Sequence, residues 1–338
     1  MPELSVVIPV YNEEDVLPEL FRRLYPALDH LGASYEVLFV DDGSRDRSAA
    51  LLRKQFEERP DTTRAVLLSG NYGQHMAILA GFQHTRGEVI VTLDADLQNP
   101  PEEIAGVLAK MGEGYDYVGS YRRNRQDTFI RRAASRVLNA VREHTTHIHI
   151  RDQGCMLRGY KRAIVDAINE CREVNTFIPA LAFTFARHPT DIEVAHAERF
   201  AGKSKYSLLR LAQLNFDLMT GFSIAPLRAF TFFGILVAVL AVLVYAVVLV
   251  SRIGSSQTLS EALKAFWDRD VLEFFLIGVV LFGLGIVGEY VGRIYQQVRG
   301  RPRYTIAAVL ERTPGEGESV AHTQTTSVSP ERGSVRRA

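Results

Sequence analysis

Two aspartates one residue apart, Asp94 and Asp96, follow the apolar segment Val89–Leu93. Such a pair supplies the hard oxygen ligands that Mg²⁺ and Mn²⁺ prefer, and Gln98 adds another oxygen shortly afterwards. A cation held there can bind the diphosphate of a nucleotide and stabilise the negative charge that develops when a bound group leaves. The alternative is a structural pair that ends a strand, but the helix-opening residues 98–103 favour the metal site.

Alternating strand and helix patterns surround this pair. Short apolar segments rich in β-branched residues predict buried parallel strands, and the segments between them predict helices, which indicates an α/β domain. Ligands bind beyond the carboxyl ends of such strands. The predicted strands are Leu4–Val10, Val37–Val40, Ala65–Leu68 and Val89–Leu93, and the predicted helices are roughly Glu14–Leu31, Arg45–Glu58, His75–His84 and Pro101–Met111.

Polar residues also follow the other predicted strands. Tyr11 and Glu13 follow the first strand, and Asp41 and Asp42 follow the second. His75 follows the third strand and is either a contact for a bound ligand or a structural histidine. Acidic residues at one edge of a sheet would repel a phosphate unless a divalent cation lies between them, which again favours metal-assisted chemistry on a nucleotide.

Motifs and composition disfavour several classes of function. No glycine-rich turn follows the first strand, and a GxGxxG string at 283–288 lies in an apolar segment where small residues permit close helix packing. The formal net charge is zero, so nucleic acid is not an expected partner. Two cysteines, Cys155 and Cys171, are too few for a disulfide framework, and the N-terminal residues do not predict a cleaved signal peptide.

Two long apolar segments predict transmembrane helices. The first, Ala229–Ser251, contains no charged residue and is bracketed by Arg228 and Arg252, and the second spans about 271–292. About 20 apolar residues in a helix cross the hydrocarbon core of a membrane, although a pair of buried core helices is the alternative. Basic residues lie before the first segment and after the second. By the positive-inside rule, they predict a hairpin with both ends of the chain in the cytoplasm.

Composition changes divide the chain into five predicted parts. The segment 204–222 has leucines near helical spacing, which predicts either an amphipathic helix in the plane of the lipid headgroups or an ordinary surface helix. The polar tail lacks the apolar residues needed to fold, so disorder is expected there. The parts are a cytoplasmic α/β domain in 1–203, an amphipathic region in 204–227, the hairpin in 228–292 with a short outer loop, a basic cytoplasmic segment in 293–312 and the tail in 313–338.

Three motifs resemble glycosyltransferase family 2, whose members have the nucleotide-diphospho-sugar transferase fold called GT-A. They are VVIPVYNEE at 6–14, VDDGSRD at 40–46 and TLDADLQNPPEEI at 92–104. Further segments resemble the group of bacterial enzymes that transfers 4-deoxy-4-formamido-L-arabinose to undecaprenyl phosphate. They include NYGQHMAILAGF at 71–82, DQGCMLRGYKR at 152–162, AERFAGKSKYS at 197–207 and GEYVGRIYQQVRGRPRY at 288–304.

The resemblance implies partners, a cofactor and a location. The donor is a uridine-diphosphate sugar, the acceptor is undecaprenyl phosphate, and the cofactor is Mg²⁺ or Mn²⁺. The group is expected in the bacterial inner membrane, with two membrane-spanning helices, a cytoplasmic catalytic domain, a role in lipid A modification and assembly into a homotetramer. The same reaction with glucose or another nucleotide sugar is the alternative, because related scaffolds carry other donors.

The resemblance and the strand-end positions also imply roles for individual residues. The predicted contacts with the nucleotide sugar are Pro9, Tyr11, Glu13, Asp41, Asp42, His75, Asp94 and Ala95. The predicted metal ligands are Asp94, Asp96 and Gln98, and the predicted catalytic residues are Asp96 and Asp152. One planar guanidinium of arginine can bind two phosphate oxygens at once, which favours a phosphate contact for the basic residues. A run of solvated basic residues is the alternative. The predicted contacts with the lipid phosphate are Arg122, Arg123, Arg131, Arg199 and Lys205.

The predicted mechanism is a single in-line displacement that inverts the anomeric carbon. The acceptor phosphate has a second pKa of about 6, so it is already an anion and needs no general base. Asp152 is therefore either a base or a group that orients an arginine or the sugar. A processive polysaccharide synthase is disfavoured because the tryptophan of its acceptor motif is missing and the sole tryptophan, Trp267, lies in the predicted outer loop. The intact acidic strand ends disfavour a non-catalytic membrane binding module.

Overall fold

The structure is a computed structural model of the 338-residue chain. It describes residues 2–122, 150–152, 154–171, 177–195, 216, 220–221, 223–253, 269–312 and 321–322. The chain forms two compact units. The first comprises Met1–Arg132, Ile148–Tyr206 and Gly300–Ala338, and the second comprises Ala133–His147 and Ser207–Arg299. The chain therefore leaves the first unit twice and returns to it at Ile148 and again at Gly300.

In the part of the chain that the structure describes, one mixed β-sheet of nine strands forms the centre of the first unit. The strands are β1 Leu4–Val10, β2 Tyr35–Asp41, β3 Thr63–Leu68, β4 Val89–Thr92, β5 Tyr117–Arg122, β6 Arg158–Lys161, β7 Pro189–Val194, β8 Ile306–Leu310 and β9 Ala321–His322. Their order across the sheet is β7-β5-β6-β4-β1-β2-β3-β8-β9. The central group β4-β1-β2-β3 is parallel, whereas β6 and β8 run antiparallel to its two outer strands.

The helices of the first unit connect these strands. They are α1 Leu17–Asp29, α2 Ser48–Glu58, α3 Gln74–His84, α4 Ile104–Gly112, α5 Arg162–Glu170 and α6 Ile178–Phe185. In α1, leucines at 17, 20, 24 and 28 are all fully buried, because this spacing places them on one face of the helix. α3 lies so close to β1 that a Cβ on Gly81 would overlap the side chain of Val7. This close approach fixes α3 on the sheet.

The central part of the sheet confirms the predicted strand–helix alternation. The predicted strand Leu4–Val10 is β1, and the other three predicted strands lie within or beside β2, β3 and β4. The four predicted helices correspond to α1, α2, α3 and α4; α4 begins at Ile104 because Pro101–Glu103 form a 3₁₀ turn first. The strands from β5 onwards lie outside the predicted strands; β5 and β7, for example, mix polar with apolar residues and have no continuous apolar run.

β8 brings the segment after the second unit back to the sheet. It pairs antiparallel with β3, with Val66 opposite Val309. Beyond β8, the carboxylate of Glu311 accepts a hydrogen bond from Arg64 at 2.6 Å, and Arg64 also donates to Glu36 at 2.9 Å. Arg64 and Glu36 are buried, so this ion-pair network holds the returning segment against the sheet. The predicted basic segment 293–312 therefore contains a strand of the first unit.

The described residues of the second unit include the helices α7 Ala225–Ile253 and α8 Arg269–Arg299. Within the described residues, one helical stretch, Leu276–Arg299, is long and apolar enough to cross a membrane, and a shorter apolar stretch covers Ala225–Val237. Both predicted apolar segments are thus helical, but the predicted two-helix membrane hairpin is not confirmed and stays a prediction.

The two helices of the second unit contact each other through aromatic rings and glycine. Phe230 and Phe282 meet edge to face with ring centroids 6.0 Å apart. A Cβ on Gly283 would overlap the ring of Phe230, so glycine permits the contact. Gly283, the first glycine of the GxGxxG string, therefore serves helix packing, whereas Gly285 and Gly288 have no atom of the described residues within 4 Å of their Cβ positions. Near the end of α8, Arg293 donates to Thr220 at 2.8 Å and pairs with Glu289 at 2.7 Å.

Candidate active site

The carboxyl ends of β1, β2 and β4 lie side by side at one edge of the sheet. In the parallel registers, Val10 pairs with Asp41, and Val7 pairs with Thr92. The polar segments that follow these strands are therefore brought to the same edge, as the strand pattern predicted. These segments are 11–13, 41–44 and 93–98.

Hydrogen bonds hold the turns after β1 and β2 together. The backbone N–H of Asn12 donates to Oγ of Ser44 at 2.9 Å, and the N–H of Arg45 donates to Oδ1 of Asn12 at 2.8 Å. The N–H of Glu13 donates to Oγ of Ser48 at 2.9 Å, at the start of α2. Asn12 has a φ of 54°, a left-handed conformation that asparagine tolerates better than most residues. The two turns are therefore fixed relative to each other.

Asp42 holds the loop that follows β3. Its Oδ1 accepts a hydrogen bond from the backbone N–H of Tyr72 at 2.7 Å, and its Oδ2 accepts one from the N–H of Gly73 at 2.8 Å. Burial raises the pKa of Asp42, and these two donors partly offset that effect. Burial likewise raises the pKa of Asp41. Asp42 therefore supports the site's backbone as well as adding negative charge, and Tyr72 is a site residue that the sequence analysis missed.

Gly43 permits the turn after β2 to touch the same loop. Its φ is 68°, and a Cβ on Gly43 would lie 2.5 Å from the carbonyl carbon of Gly70. Backbone atoms cannot move aside as a flexible side chain can. Glycine is therefore required here both by the backbone conformation and by the approach of the neighbouring loop.

Replacing Gly43 by alanine is expected to lower the free energy of unfolding by about 2–4 kcal/mol, because a left-handed φ and an overlap both oppose the new Cβ. Gly32→Ala is the matched control, since Gly32 has a similar φ of 67° but has nothing within 4 Å of its Cβ position. The control is expected to cost only about 1–2 kcal/mol. Thermal unfolding midpoints of the two variants measure the difference, and equal midpoints would show that the Gly70 contact is unimportant.

The turn after β4 carries the paired aspartates. The backbone N–H of Gln98 donates to Oδ1 of Asp96 at 3.1 Å, and Leu97 between them has a φ of 59°, so the chain reverses sharply. The side-chain amide of Gln74, at the start of α3, donates to Oδ1 of Asp94 at 2.5 Å. These bonds orient both carboxylates. The amide of Gln74 is a second contact that the sequence analysis did not identify.

The oxygen donors of this turn fit a Mg²⁺ or Mn²⁺ ion that shares its coordination with a ligand. Asp94 and Asp96 are both partly exposed, and carboxylate oxygens are the donors that these ions take. Among the described residues, no group of three or more His, Cys, Asp or Glu side chains could hold a metal by itself. Two carboxylates are therefore suited to an ion whose remaining ligands come from a bound diphosphate, water and the predicted ligand Gln98.

A buried arginine, Arg158 of β6, supports the segment that contains Asp152. Its guanidinium donates to the backbone oxygen of Asp152 at 2.6 Å, to that of Cys155 at 2.9 Å and to the hydroxyl of Tyr117 at 2.5 Å. The thiol of Cys155 in turn donates to Oδ1 of Asn99 at 3.3 Å, which links this segment to the turn after β4. Asp152, itself buried, is thus held close to the aspartate turn by bonds that the sequence analysis did not foresee.

His75 lies in the first turn of α3, and its ring meets Phe177 edge to face with centroids 5.0 Å apart. Its Nδ1 is buried and has no hydrogen-bond partner among the residues that the structure describes. Desolvation, together with repulsion from Arg158, lowers the pKa of His75 to about 4. The ring is therefore uncharged at neutral pH, so it can offer a hydrogen bond to a sugar but no positive charge to a phosphate.

Comparison with known proteins decides the family of this chain. The family model described as glycosyl transferase family 2 matches residues 5–168. A relative from Enterobacter sp. (strain 638), named undecaprenyl-phosphate 4-deoxy-4-formamido-L-arabinose transferase, is 50% identical over 316 residues, which cover 92% of this chain and 94% of the relative. The chain belongs to glycosyl transferase family 2. A relative of the same name from Klebsiella pneumoniae subsp. pneumoniae is 49% identical over 308 residues, covering 91% of this chain and 94% of the relative.

Solved structures similar to this glycosyltransferase are more distant. Glucosyl-3-phosphoglycerate synthase from Mycobacterium tuberculosis, in complex with Mn²⁺, uridine diphosphate and phosphoglyceric acid, is 18% identical, with a TM-score of 0.49 over 65% of this chain and 77% of that chain. S. aureus TarS is 17% identical, with a TM-score of 0.39 over 56% and 58%. The mixed α/β sheet of the present enzyme, with its parallel centre, is the GT-A-like arrangement expected from its family.

The structure places most predicted site residues of the glycosyltransferase at the acidic edge. Pro9 lies near the end of β1 opposite Val40, Tyr11 is exposed, and Ala95, between Asp94 and Asp96 in sequence, is buried. Arg122 is the last residue of β5, and its backbone is in register with Val194. The individual roles of these residues stay predictions.

Several predicted regions of the glycosyltransferase lie outside the described residues. Most of the basic residues predicted to contact the lipid phosphate are in this group, as are most of the amphipathic region and the loop that contains Trp267. The basic residues concerned are Arg123, Arg131, Arg199 and Lys205.

The low pKa of His75 predicts acid sensitivity of the glycosyltransferase. The pKa is about 4 in the folded chain, whereas an unperturbed histidine has a pKa of 6.5, so between these values the unfolded chain binds more protons. Stability is therefore expected to fall as the pH drops from about 6.5 towards about 4. In His75→Asn this pH dependence of the unfolding midpoint should be weaker, whereas His188→Asn, which changes an exposed histidine, should behave as the wild type. An unchanged dependence in His75→Asn would contradict the burial of a neutral ring.

Proposed function

We propose that this glycosyltransferase transfers 4-deoxy-4-formamido-L-arabinose from its uridine-diphosphate donor to undecaprenyl phosphate. The observation that carries the proposal is the 50% identity, over 92% of the chain, to a relative with that name. The acidic strand ends support a nucleotide-diphosphate donor, because their carboxylates need a cation between them and the phosphates.

The donor would bind beyond the carboxyl ends of β1, β2 and β4. Asp94 and Asp96 would hold a Mg²⁺ or Mn²⁺ ion with the donor's diphosphate, and such an ion neutralises charge on the departing nucleotide. Around it, the turns fixed by Asn12 and Asp42 present their backbone to the nucleotide. His75, which is neutral at neutral pH, offers a hydrogen bond to the sugar. Most of the catalysis then comes from positioning and electrostatic stabilisation.

The acceptor phosphate would attack the anomeric carbon from the face opposite the diphosphate, which inverts its configuration. The phosphate is an anion at neutral pH, so Asp152 need not remove a proton. Oδ1 of Asp152 accepts the backbone N–H of Gly154 at 3.0 Å, and Arg158 holds its backbone oxygen, so the carboxylate has a fixed direction. We assign Asp152 to orienting groups on the acceptor side, together with the predicted basic residues that include Arg122.

A lipid acceptor requires the enzyme to work at a membrane. The apolar helix Leu276–Arg299 supports anchoring in the bilayer, and the predicted topology places the catalytic unit on the cytoplasmic side of the bacterial inner membrane. Gly283 contacts Phe230 of the same chain, whereas Gly285 and Gly288 of the same helix have no atom of the described residues within 4 Å of their Cβ positions. The homotetramer, predicted from the glycines of this helix and from the family resemblance, stays a prediction.

A transfer assay with a panel of donors tests the proposed function. Purified enzyme is incubated with undecaprenyl phosphate, Mg²⁺ or Mn²⁺, and one of three donors: the uridine diphosphates of 4-deoxy-4-formamido-L-arabinose, of the corresponding 4-amino sugar, and of glucose. Mass spectrometry of the lipid fraction identifies the product. We expect product from the formamido donor only, and its loss in the presence of a chelator.

The other outcomes separate the parts of the proposal. Product from glucose would retain the reaction but reassign the sugar. Product from the 4-amino donor at the same rate would show that the formyl group is not recognised. Transfer that persists after chelation would show that the reaction does not require the proposed metal ion. Absence of lipid product with every donor would contradict undecaprenyl phosphate as the acceptor.

A further inference from the structure

Thr305, in the segment that returns from the second unit, contacts the loop that follows β3. The backbone N–H of Ser69 donates to the carbonyl oxygen of Thr305 at 2.9 Å. The hydroxyls of Tyr72 and Thr305 form a second hydrogen bond of 2.6 Å. Thr305 therefore holds the loop 69–73 at both of its ends.

The same loop forms part of the acidic edge. The backbone N–H of Tyr72 donates to Oδ1 of Asp42 at 2.7 Å, and the neighbouring Gly73 donates to Oδ2. In the middle of the loop, Gly70 lies against Gly43 of the turn after β2. Tyr72 thus bonds to Asp42 through its backbone and to Thr305 through its side chain. One residue joins the returning segment to the turn that carries the predicted nucleotide contacts.

The returning segment is well placed to restrain this loop. It follows α8 directly, and β8 anchors it by antiparallel pairing with β3. Glu311, just beyond β8, pairs with the buried Arg64 at 2.6 Å. Thr305 is itself exposed, but it lies immediately before β8, so its backbone position is set by this anchored strand; the loop that it touches is partly exposed. An anchored residue that bonds to a partly exposed loop can reduce the number of conformations that the loop samples.

We propose that Thr305 is a positioning residue for the nucleotide-sugar site. Its hydroxyl holds Tyr72, and through Tyr72 it keeps Asp42 and the loop 69–73 in the conformation that binds the nucleotide. The segment that follows α8 then contributes to the affinity for the donor although it does not contact the reacting groups. This inference rests on the proposed use of a uridine-diphosphate donor.

Isosteric removal of the hydroxyl tests the proposal. Thr305→Val keeps the shape of the side chain but loses the bond to Tyr72, and Tyr72→Phe removes the same bond from the other side. We expect each variant to raise the Kd for uridine diphosphate, and the KM for the donor, by about threefold to tenfold, with kcat within about twofold of the wild type. Thr305→Ser should restore wild-type values because it keeps the hydroxyl.

The double variant and an adjacent control sharpen the test. If both single variants remove one shared bond, Thr305→Val combined with Tyr72→Phe should be no worse than either alone. Tyr304→Phe is the matched control, because the Tyr304 hydroxyl bonds to Gln83 near the end of α3 and not to the loop. Binding is measured by calorimetry with uridine diphosphate and Mg²⁺ on the full-length enzyme, and KM and kcat are measured in the transfer assay.

Three results would overturn the proposal. Unchanged Kd values in both single variants would show that the bond does not affect the site. Fully additive effects in the double variant, or an equal effect of Tyr304→Phe, would indicate general loosening of the segment. A wild-type enzyme that transfers sugar but does not bind uridine diphosphate would overturn the donor assignment and this inference together, whereas loss of donor binding confined to the variants leaves the proposed function intact.

Discussion

Replacing Asp96 by asparagine is expected to lower kcat for sugar transfer by about 10²–10³-fold, because one charge that would hold the cation and the departing diphosphate is lost. The fold should be retained. Oδ1 of Asp96 accepts the backbone N–H of Gln98 at 3.1 Å, and the amide oxygen of asparagine can accept the same bond. The turn therefore keeps its shape while its charge changes.

The measurements are the transfer rate, the metal concentration that gives half the maximal rate, and the unfolding midpoint. Asp166→Asn is the control, since it makes the same change at an exposed position on α5. We expect the control to match the wild type in all three. If Asp96→Asn kept the wild-type rate and the wild-type metal requirement, Asp96 would have no part in the metal site.

Replacing Arg158 by methionine is expected to cost about 2–4 kcal/mol of unfolding free energy, because the backbone oxygens of Asp152 and Cys155 would lose a buried charged donor. For a unit of this size the cost corresponds to a decrease in the unfolding midpoint on the order of 5–10 °C. Transfer should also fall, by about 10- to 100-fold, because small displacements of a positioned group are costly to catalysis.

Arg158→Lys and Tyr117→Phe separate the two effects of this change. Lysine keeps the positive charge but lacks the planar fork that reaches three acceptors, so kcat should fall even if the enzyme stays folded. Tyr117→Phe removes one of the three partners and should have a smaller effect on the unfolding midpoint. Arg53→Met, at an exposed position on α2, is the control for loss of an arginine. A wild-type kcat and midpoint in Arg158→Lys would contradict the positioning of Asp152.

The parallel centre of the sheet and its acidic edge follow from the sequence alone. β1, β2, β3 and β4 are short apolar segments, and parallel pairing of such segments brings the residues after each strand to one edge whatever the rest of the chain does. The positions of Asp41, Asp42, Asp94 and Asp96 could therefore be predicted from local pattern. The prediction of a metal site at Asp94 and Asp96 follows from their residue types and from a spacing that stays within one turn.

The hydrogen-bond partners of these aspartates cannot be predicted from local sequence. Asp42, which follows β2, accepts a hydrogen bond from the backbone of Tyr72, and Asp94, which follows β4, accepts one from the side chain of Gln74. Both donors lie after β3, so each bond joins segments that follow different strands. No periodicity marks such a bond, because it depends on the path of a loop and not on the type of a neighbouring residue. Local sequence thus predicts which residues reach the edge, but not what holds them there.

The same reason explains Arg158 and Thr305. From sequence alone an arginine is expected at the surface, but Arg158 is buried because three acceptors from two segments, 152–155 and β5, converge on it. β8 is a short strand that pairs with β3, far away along the chain, so its place in the sheet depends on an edge that only the folded domain offers. Residue types and strand pattern thus predict which polar groups reach the strand ends, whereas the long-range bonds that fix their geometry form only between segments that folding brings together.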